Sequence, residues 1–324
     1  LVGIDASITA NEEGATAWLD TKDFELVLPN VYREPIRLMS VLGTLEGRWQ
    51  RDALFLEHGL LLGSAPEHDA AVQFEIDIPF SKQSSVPLKM RLSASVLDAP
   101  VGIREAYVPY RMPAPAYAWL QQALPAGKIE RGIFLWHGGF KPYGHSGQTM
   151  QLAADLSGVT LDYQPGWPAA LLTESQLRLD DTRIDVWAAQ GQLAELALFH
   201  TAVGLRVDRD AIWLDLQTRS KGKPSEILSA LEQLPALSVA YPVMSDLTVG
   251  GDEPTATSAH IRFDLRNVAL SLDVDVDMAL TNATLASELL DLQAASLSGD
   301  LRYRTHTGFE SMGITARVFD RQVA

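Results

Sequence analysis

Apolar and polar residues alternate with a period of two along most of this chain, the pattern of strands with one covered face and one wet face. Val2, Ile4, Ala6 and Ile8 share one parity at the start. Phe24, Leu26 and Leu28 follow and stop at Pro29-Asn30. Phe74, Ile76, Ile78 and Phe80 alternate with Gln73, Glu75 and Asp77. Leu88, Met90, Leu92, Ala94 and Val96 alternate with Lys89, Arg91, Ser93 and Ser95. Further strands are expected over 132–140, 158–163 and 177–179, then at Ile184 and Val186 beyond an Asp180-Asp181 turn. Leu196 and Leu198, then Ile212, Leu214 and Leu216, continue the series. The longest alternation runs from Asn267 to Leu280. Val268, Leu270, Leu272, Val274, Val276, Met278 and Leu280 share one face, and Ser271, Asp273, Asp275 and Asp277 share the other. It predicts a single strand of about 40 Å. Short polar turns between strands point to antiparallel neighbours.

Two segments break the period. Ala116, Tyr117, Leu120 and Leu124 fall at helical spacing behind Pro113 and Pro115, which predicts a helix from Ala114 to Leu124. Ile227, Leu228, Leu231 and Leu234 form a second stripe between Pro224 and Pro235. Both helices are too short to stand alone and must pack on the sheet. Three stretches follow from this: a β segment over 1–112, a β segment with the two helices over 113–237, and a β segment over 238–324. They are expected to form one continuous elongated unit. Alternation starts at the first residues and runs nearly to the last, so the sequence reads as a piece of a longer protein.

Composition narrows the function. The 324 residues are 47% hydrophobic with a formal net charge of −15, and no stretch is low in complexity. An acidic surface repels polyphosphate, which argues against a nucleic-acid partner, and against simple docking onto anionic lipid headgroups. There is no cysteine, so disulfides and thiolate metal sites are excluded. No run reaches the length of an apolar membrane span.

Catalytic constellations fail at named positions. Gly144-His145-Ser146-Gly147-Gln148 resembles a serine elbow but carries Gln148 in place of the last glycine. Asp273, Asp275 and Asp277 resemble a calcium loop but meet Met278 where glycine belongs and Thr284 where glutamate belongs. The carboxylates read instead as a solvated strand face that blunts edge pairing. None of the seven histidines sits in metal-ligand spacing. Glu67-His68-Asp69 and Asp180-Asp181 read as polar turns, and Trp167-Pro168 as a corner plug rather than a stacking platform. A carbohydrate-active enzyme, suggested only by seven tryptophans and many turn carboxylates, would need two carboxylates converging across a cleft, and none is expected. No catalytic residue, cofactor site or metal site is expected.

Several segments carry a resemblance. They are Tyr107-Val108-Pro109, Trp119-Leu120, Ala123 to Ile129, Gly132 to Gly138, and Leu161-Asp162-Tyr163-Gln164-Pro165-Gly166-Trp167-Pro168. The helix after Ser225, followed by Pro235-Ala236-Leu237, adds to them. In this order they resemble the bacterial AsmA-like family, and within it the YhdP-type proteins, most clearly over residues 100–320. The resemblance implies bridge-like proteins of the Gram-negative envelope. These are anchored in the inner membrane, extend through the periplasm, and carry phospholipid toward the outer membrane without catalysis. The implied fold is mainly β: a long, curled antiparallel sheet forming an elongated apolar groove, with two short helices. The implied partner is phospholipid or another acyl lipid, with other envelope proteins beside it. Membrane contact would come through parts of the parent outside this sequence.

On that expectation the lipid-lining residues are Phe74, Ile76, Ile78, Leu88, Met90, Leu92, Ile184, Val186, Leu196, Leu198, Ile212, Leu214, Leu216, Val268, Leu270, Leu272, Val274, Val276 and Met278. Alternation by itself leaves a second architecture standing. A closed β-sandwich core would cover the same faces with a second sheet and serve as a structural or interaction module of the envelope.

Overall fold

The computed structural model describes residues 4–27, 29, 32, 34–108, 114–139, 147–162, 166–233, 246–289, 291–318 and 321–323. Val2 and Leu28, the elbow look-alike from Gly144 to Ser146, Tyr163 to Pro165, and Leu234 to Leu237 lie outside the described residues. The chain is mainly β. Among the described residues, eighteen strands form one antiparallel sheet. They are β1 (Ala6–Ala10), β2 (Gly14–Leu26), β3 (Ile36–Trp49), β4 (Ala53–Ala65), β5 (His68–Pro79), β6 (Lys89–Pro100), β7 (Ala126–Gly139), β8 (Thr149–Leu161) and β9 (Ala170–Asp180). Next come β10 (Arg183–Leu193), β11 (Leu196–Val207), β12 (Ile212–Gly222), β13 (Leu247–Gly250), β14 (Thr255–Asp264), β15 (Asp273–Ser287), β16 (Leu292–Arg304), β17 (Gly308–Val318) and β18 (Arg321–Val323).

The chain divides into two compact units. The first holds Leu1–Gln121, Ala126–Ser157 and Gln176–Thr182; the second holds Gln122–Pro125, Gly158–Ser175 and Arg183–Ala324. In the first unit, β1 to β7 pair consecutively as a meander. In the second, β10 pairs with β11 and β11 with β12, but β12 then pairs with β14. The long strand β15 takes β14 along its first half and β13 along its second. β16, β17 and β18 complete the order.

The two expected helices are present as Ala114–Ala123 and Pro224–Glu232. The second opens as its sequence dictates. Pro224 occupies the first turn, where no N–H is needed, and Glu226 Oε2 accepts the Lys223 backbone N–H at 2.7 Å. A 3-10 turn at Val101–Ile103 runs into a short helix at Arg104–Tyr107.

One further helix corrects an expectation. Val268–Ser271 is helical, and the strand expected from Asn267 begins only at Asp273. Local polar groups outweigh the alternation there. Ser271 Oγ donates to the Asn267 carbonyl at 2.7 Å and accepts the Asp264 N–H at 2.8 Å, which closes the turn.

Strict alternation also breaks within strands. Asp23, Asp98, His200, Asn282 and Ser296 have positive φ. Each sits inside a strand, and the inward parity changes across it. In β2 the inward residues change from Leu19 and Thr21 to Phe24 and Leu26. In β15 they change from Met278 and Leu280 to Ala283, where the register shifts. At His200, Asn282 and Ser296 the register shifts too, which marks β-bulges that take one extra residue, whereas at Asp23 and Asp98 the register to the neighbouring strand is unchanged.

The carboxylate row is corrected as well. β15 is paired on both sides, so Asp273, Asp275 and Asp277 do not guard an edge. They join a cross-strand charge ladder. Arg302 hydrogen-bonds Asp277, Arg304 Nε lies 3.2 Å from Asp275, and Arg262 faces Asp273. The Arg302 hydrogen bond holds the Asp277 carboxyl below its ordinary range.

In the second unit the apolar face is buried. Ile184, Leu205, Leu214 and Phe263 form one cross-strand row, and Val186, Val203, Leu216, Ile261 and Val274 the next. Phe263 is 0% exposed and Val274 is 1%. Phe263→Ala should therefore destabilise the protein by about 3–5 kcal/mol. Leu270→Ala, at a residue that is 86% exposed on the short helix, should change stability by less than about 0.5 kcal/mol. Denaturant unfolding of the two variants checks both values.

Candidate functional site

Cross-strand register builds the site from the residues upward. In antiparallel pairs, residues directly opposite share a face. Across β2 to β7 one row reads Ala17, Leu45, Gly59, Phe74, Leu92 and Trp136. The next reads Leu19, Gly43, Leu61, Val72, Ala94 and Phe134, and a third Thr21, Val41, Gly63, Ala70, Val96 and Gly132. Leu56, Ile76 and Met90 extend the face in the other direction. No charged residue interrupts these rows.

The face is only half covered. Phe74, Val72, Leu61, Leu92, Ala94, Phe134 and Trp136 are all of intermediate exposure. Gly59 allows close approach there. A Cβ at this position would lie 2.5 Å from the Phe74 ring, so the end of the ring occupies the space a side chain would take. The opposite face alternates charge with apolar groups. Arg91 pairs with Glu75 at 3.2 Å, and Arg131 with Asp155 at 2.7 Å. Leu42 and Leu62 face each other on that side, and Leu62 is 50% exposed.

One end of the uncovered face is closed. Phe24, Ile36, Ala65 and Ala99 are buried there. His68, on the same face by register, makes a 2.7 Å hydrogen bond to Tyr107 of the short helix. The rings meet edge to face at 5.3 Å. Burial pushes the Tyr107 phenol up to about 12, with Tyr32 adding to the shift. Burial lowers the His68 pKa, while Asp69 and Glu67 pull it the other way. Arg104, one turn before Tyr107, donates to the carbonyls of Val101 and Gln121 at 3.1 and 2.9 Å.

The expected lining residues divide between two settings. Phe74, Ile76, Ile78, Leu88, Met90 and Leu92 are half-buried in the first unit, all but Leu88 on strands. In the second unit Ile184, Val186, Leu196, Leu198, Ile212, Leu214, Leu272, Val274 and Val276 are buried, while Leu216 and Met278 are half-buried. Val268 and Leu270 sit on the short helix, off the strand.

Cover is visible in the second unit. Trp167 is buried with its ring 5.0 Å from Phe263, as a corner plug would be. Ile227 and Ala230 of the helix Pro224–Glu232 pack with Leu196, against Met278. Residues that the alternation did not single out, such as Leu61, Val72, Phe134 and Trp136, complete the uncovered face. Their parity was visible in the sequence, but glycines at 43, 59, 63 and 132 dilute it. His137 lies on the polar face opposite Arg91.

The family model described as YhdP protein matches residues 1–324. The chain belongs to the YhdP family. No curated protein and no solved structure matches. Within this YhdP-family chain, no helix among the described residues is long and apolar enough to cross a membrane. Among the described residues, no group of His, Asp and Glu is placed to hold a metal ion.

The pH response of the closed end follows from its titratable groups. Folded His68 holds its proton less well than it does in the unfolded chain, so protonation favours unfolding. Its contribution is complete above about pH 6.5 and declines as pH falls through the window below that value. Thermal unfolding of wild type and His68→Gln from neutral to mildly acid pH checks this. The wild type should lose more stability than the variant across that window.

Proposed function

We propose that this chain is a non-enzymatic, periplasmic segment of a lipid-transport protein, shielding phospholipid acyl chains on an apolar β face on their way between inner and outer membrane. The observation that carries the reading is the charge-free, half-exposed face across β2 to β7. Burying a sixteen-carbon chain there is worth on the order of 13 kcal/mol, at about 0.8 per CH₂. The grip on any one position is weak, because a chain that slides exchanges one apolar contact for an equal one. A face without charges suits such passage, since each charge would hold water and raise a barrier. Family membership supports the same reading.

A second reading is favoured by a specific observation. In the second unit the apolar face is sealed by Trp167 and by the helix Pro224–Glu232. That part of the chain suits a closed module that supports the sheet or meets an envelope protein.

Lipid extraction of the purified chain, followed by chromatography, separates the two. Phospholipid should co-purify with the wild type. Replacing Val72 and Leu92 together by Asp should empty the protein, whereas Leu62→Asp on the opposite face should leave loading unchanged. Full loading of the double variant would sink the proposal. Substituting Leu272 and Val274 is a poorer test, because both are buried and the change would unfold the protein first.

A further inference from the structure

We infer that Arg104 and Gln121 form an anion-accepting site at the closed end of the apolar face, and that its ligand is the carboxylate or phosphate head of an acyl amphiphile. The inference rests on the lipid-path reading and adds a fixed polar end to it.

Two buried donors at the site lack an acceptor. Arg104 spends one terminal nitrogen on the Val101 carbonyl and the other on the Gln121 carbonyl. Its Nε–H is buried and unpartnered. The Gln121 side-chain nitrogen Nε2 is buried and unpartnered as well. The two residues are neighbours through the 2.9 Å bond between them. No carboxylate among the described residues pairs with Arg104, although acids outnumber bases by 41 to 26 along the chain. Buried donors normally find a partner, so two on residues that touch, one of them cationic, call for an oxyanion. A carboxylate or a phosphate suits the free Nε–H of a guanidinium, since both accept without donating and carry the opposite charge.

Position gives the ligand its tail. Arg104 and Tyr107 are three residues apart on one short helix, the spacing of neighbours on a helix surface. Tyr107 is bonded to His68, which stands on the charge-free face. An anion held at Arg104 is one helical turn from Tyr107, the residue that hydrogen-bonds the face at His68, two and three alternate positions along β5 from Val72 and Phe74. His68 is kept neutral by burial and Tyr107 protonated, so neither competes as a charge. A chain that slides elsewhere gains an orientation here: head at the closed end, tail along the strands.

Fluorescence titration of the full chain with cis-parinaric acid and with its methyl ester tests this at mildly alkaline pH. The wild type should bind the acid about tenfold more tightly than the ester. Arg104→Met should bring the acid down to the level of the ester, with ester binding unchanged. Gln121→Glu, which places a carboxylate in the site from within the chain, should do the same. It guards against a fold defect in the arginine variant. Equal binding of acid and ester by the wild type, or an acid preference that survives both substitutions, would overturn the anion site while leaving the lipid path intact. Failure of the wild type to bind either probe would overturn the lipid path itself. Displacement of the acid by inorganic phosphate alone would assign the site to a free anion and overturn the headgroup.

Discussion

A strand that is apolar on one side needs cover for that side, while its backbone ladder is satisfied by its neighbours whatever the cover is. Two units of one chain answer that need differently. In the second, a tryptophan and a helix lie over the sheet, and Phe263, Leu214 and Val274 are as buried as any core. In the first, the rows from Ala17 to Trp136 keep the same apolar chemistry without full cover. Water at such a face is unfavourable, and a mobile hydrocarbon removes it without specific contacts. The ladder supplies stability, so the face is free to do something other than hold the fold together.

The polar end of the first unit modifies that picture. Along the rows one apolar position differs little from the next. At His68, Tyr107 and Arg104 the surroundings change from methyl and phenyl groups to hydrogen-bonding ones within one helical turn. An apolar face with one end different from the rest has a direction, even though each strand in it is locally symmetric.

Much of the fold was legible because a period of two survives almost any surface substitution. The strands around Phe74, Leu92, Ile184, Leu214 and Val276 and the two proline-started helices follow from pattern alone. The bulges do not. His200 and Asn282 look like ordinary outward polar residues until a positive φ makes each an extra residue and reverses the parity beyond it. The turn at Asn267 and Ser271 was hidden for a related reason. Its alternation matches a strand, and hydrogen bonds over three or four residues decide otherwise. The charge ladder of Asp275 and Asp277 needed the partner strand, since Arg302 and Arg304 lie far along the chain. The donors at Arg104 and Gln121 needed the tertiary fold, because no spacing announces an unfilled hydrogen bond.

Connectivity also governs how such a sheet comes into being. From β1 to β7 every new strand meets the one just before it, and up to β6 each pairing closes a short loop that costs little chain entropy. The unit can grow hairpin by hairpin as the polypeptide is delivered from its N-terminal end, with no need to wait for a distant segment. β12 is the exception. Its neighbour β14 arrives only after the helix Pro224–Glu232 and β13 have been made, and β13 itself waits for the far half of β15. The slow step of assembly therefore falls in the second unit, where the helix that covers the sheet must be in place as the last strands close around it.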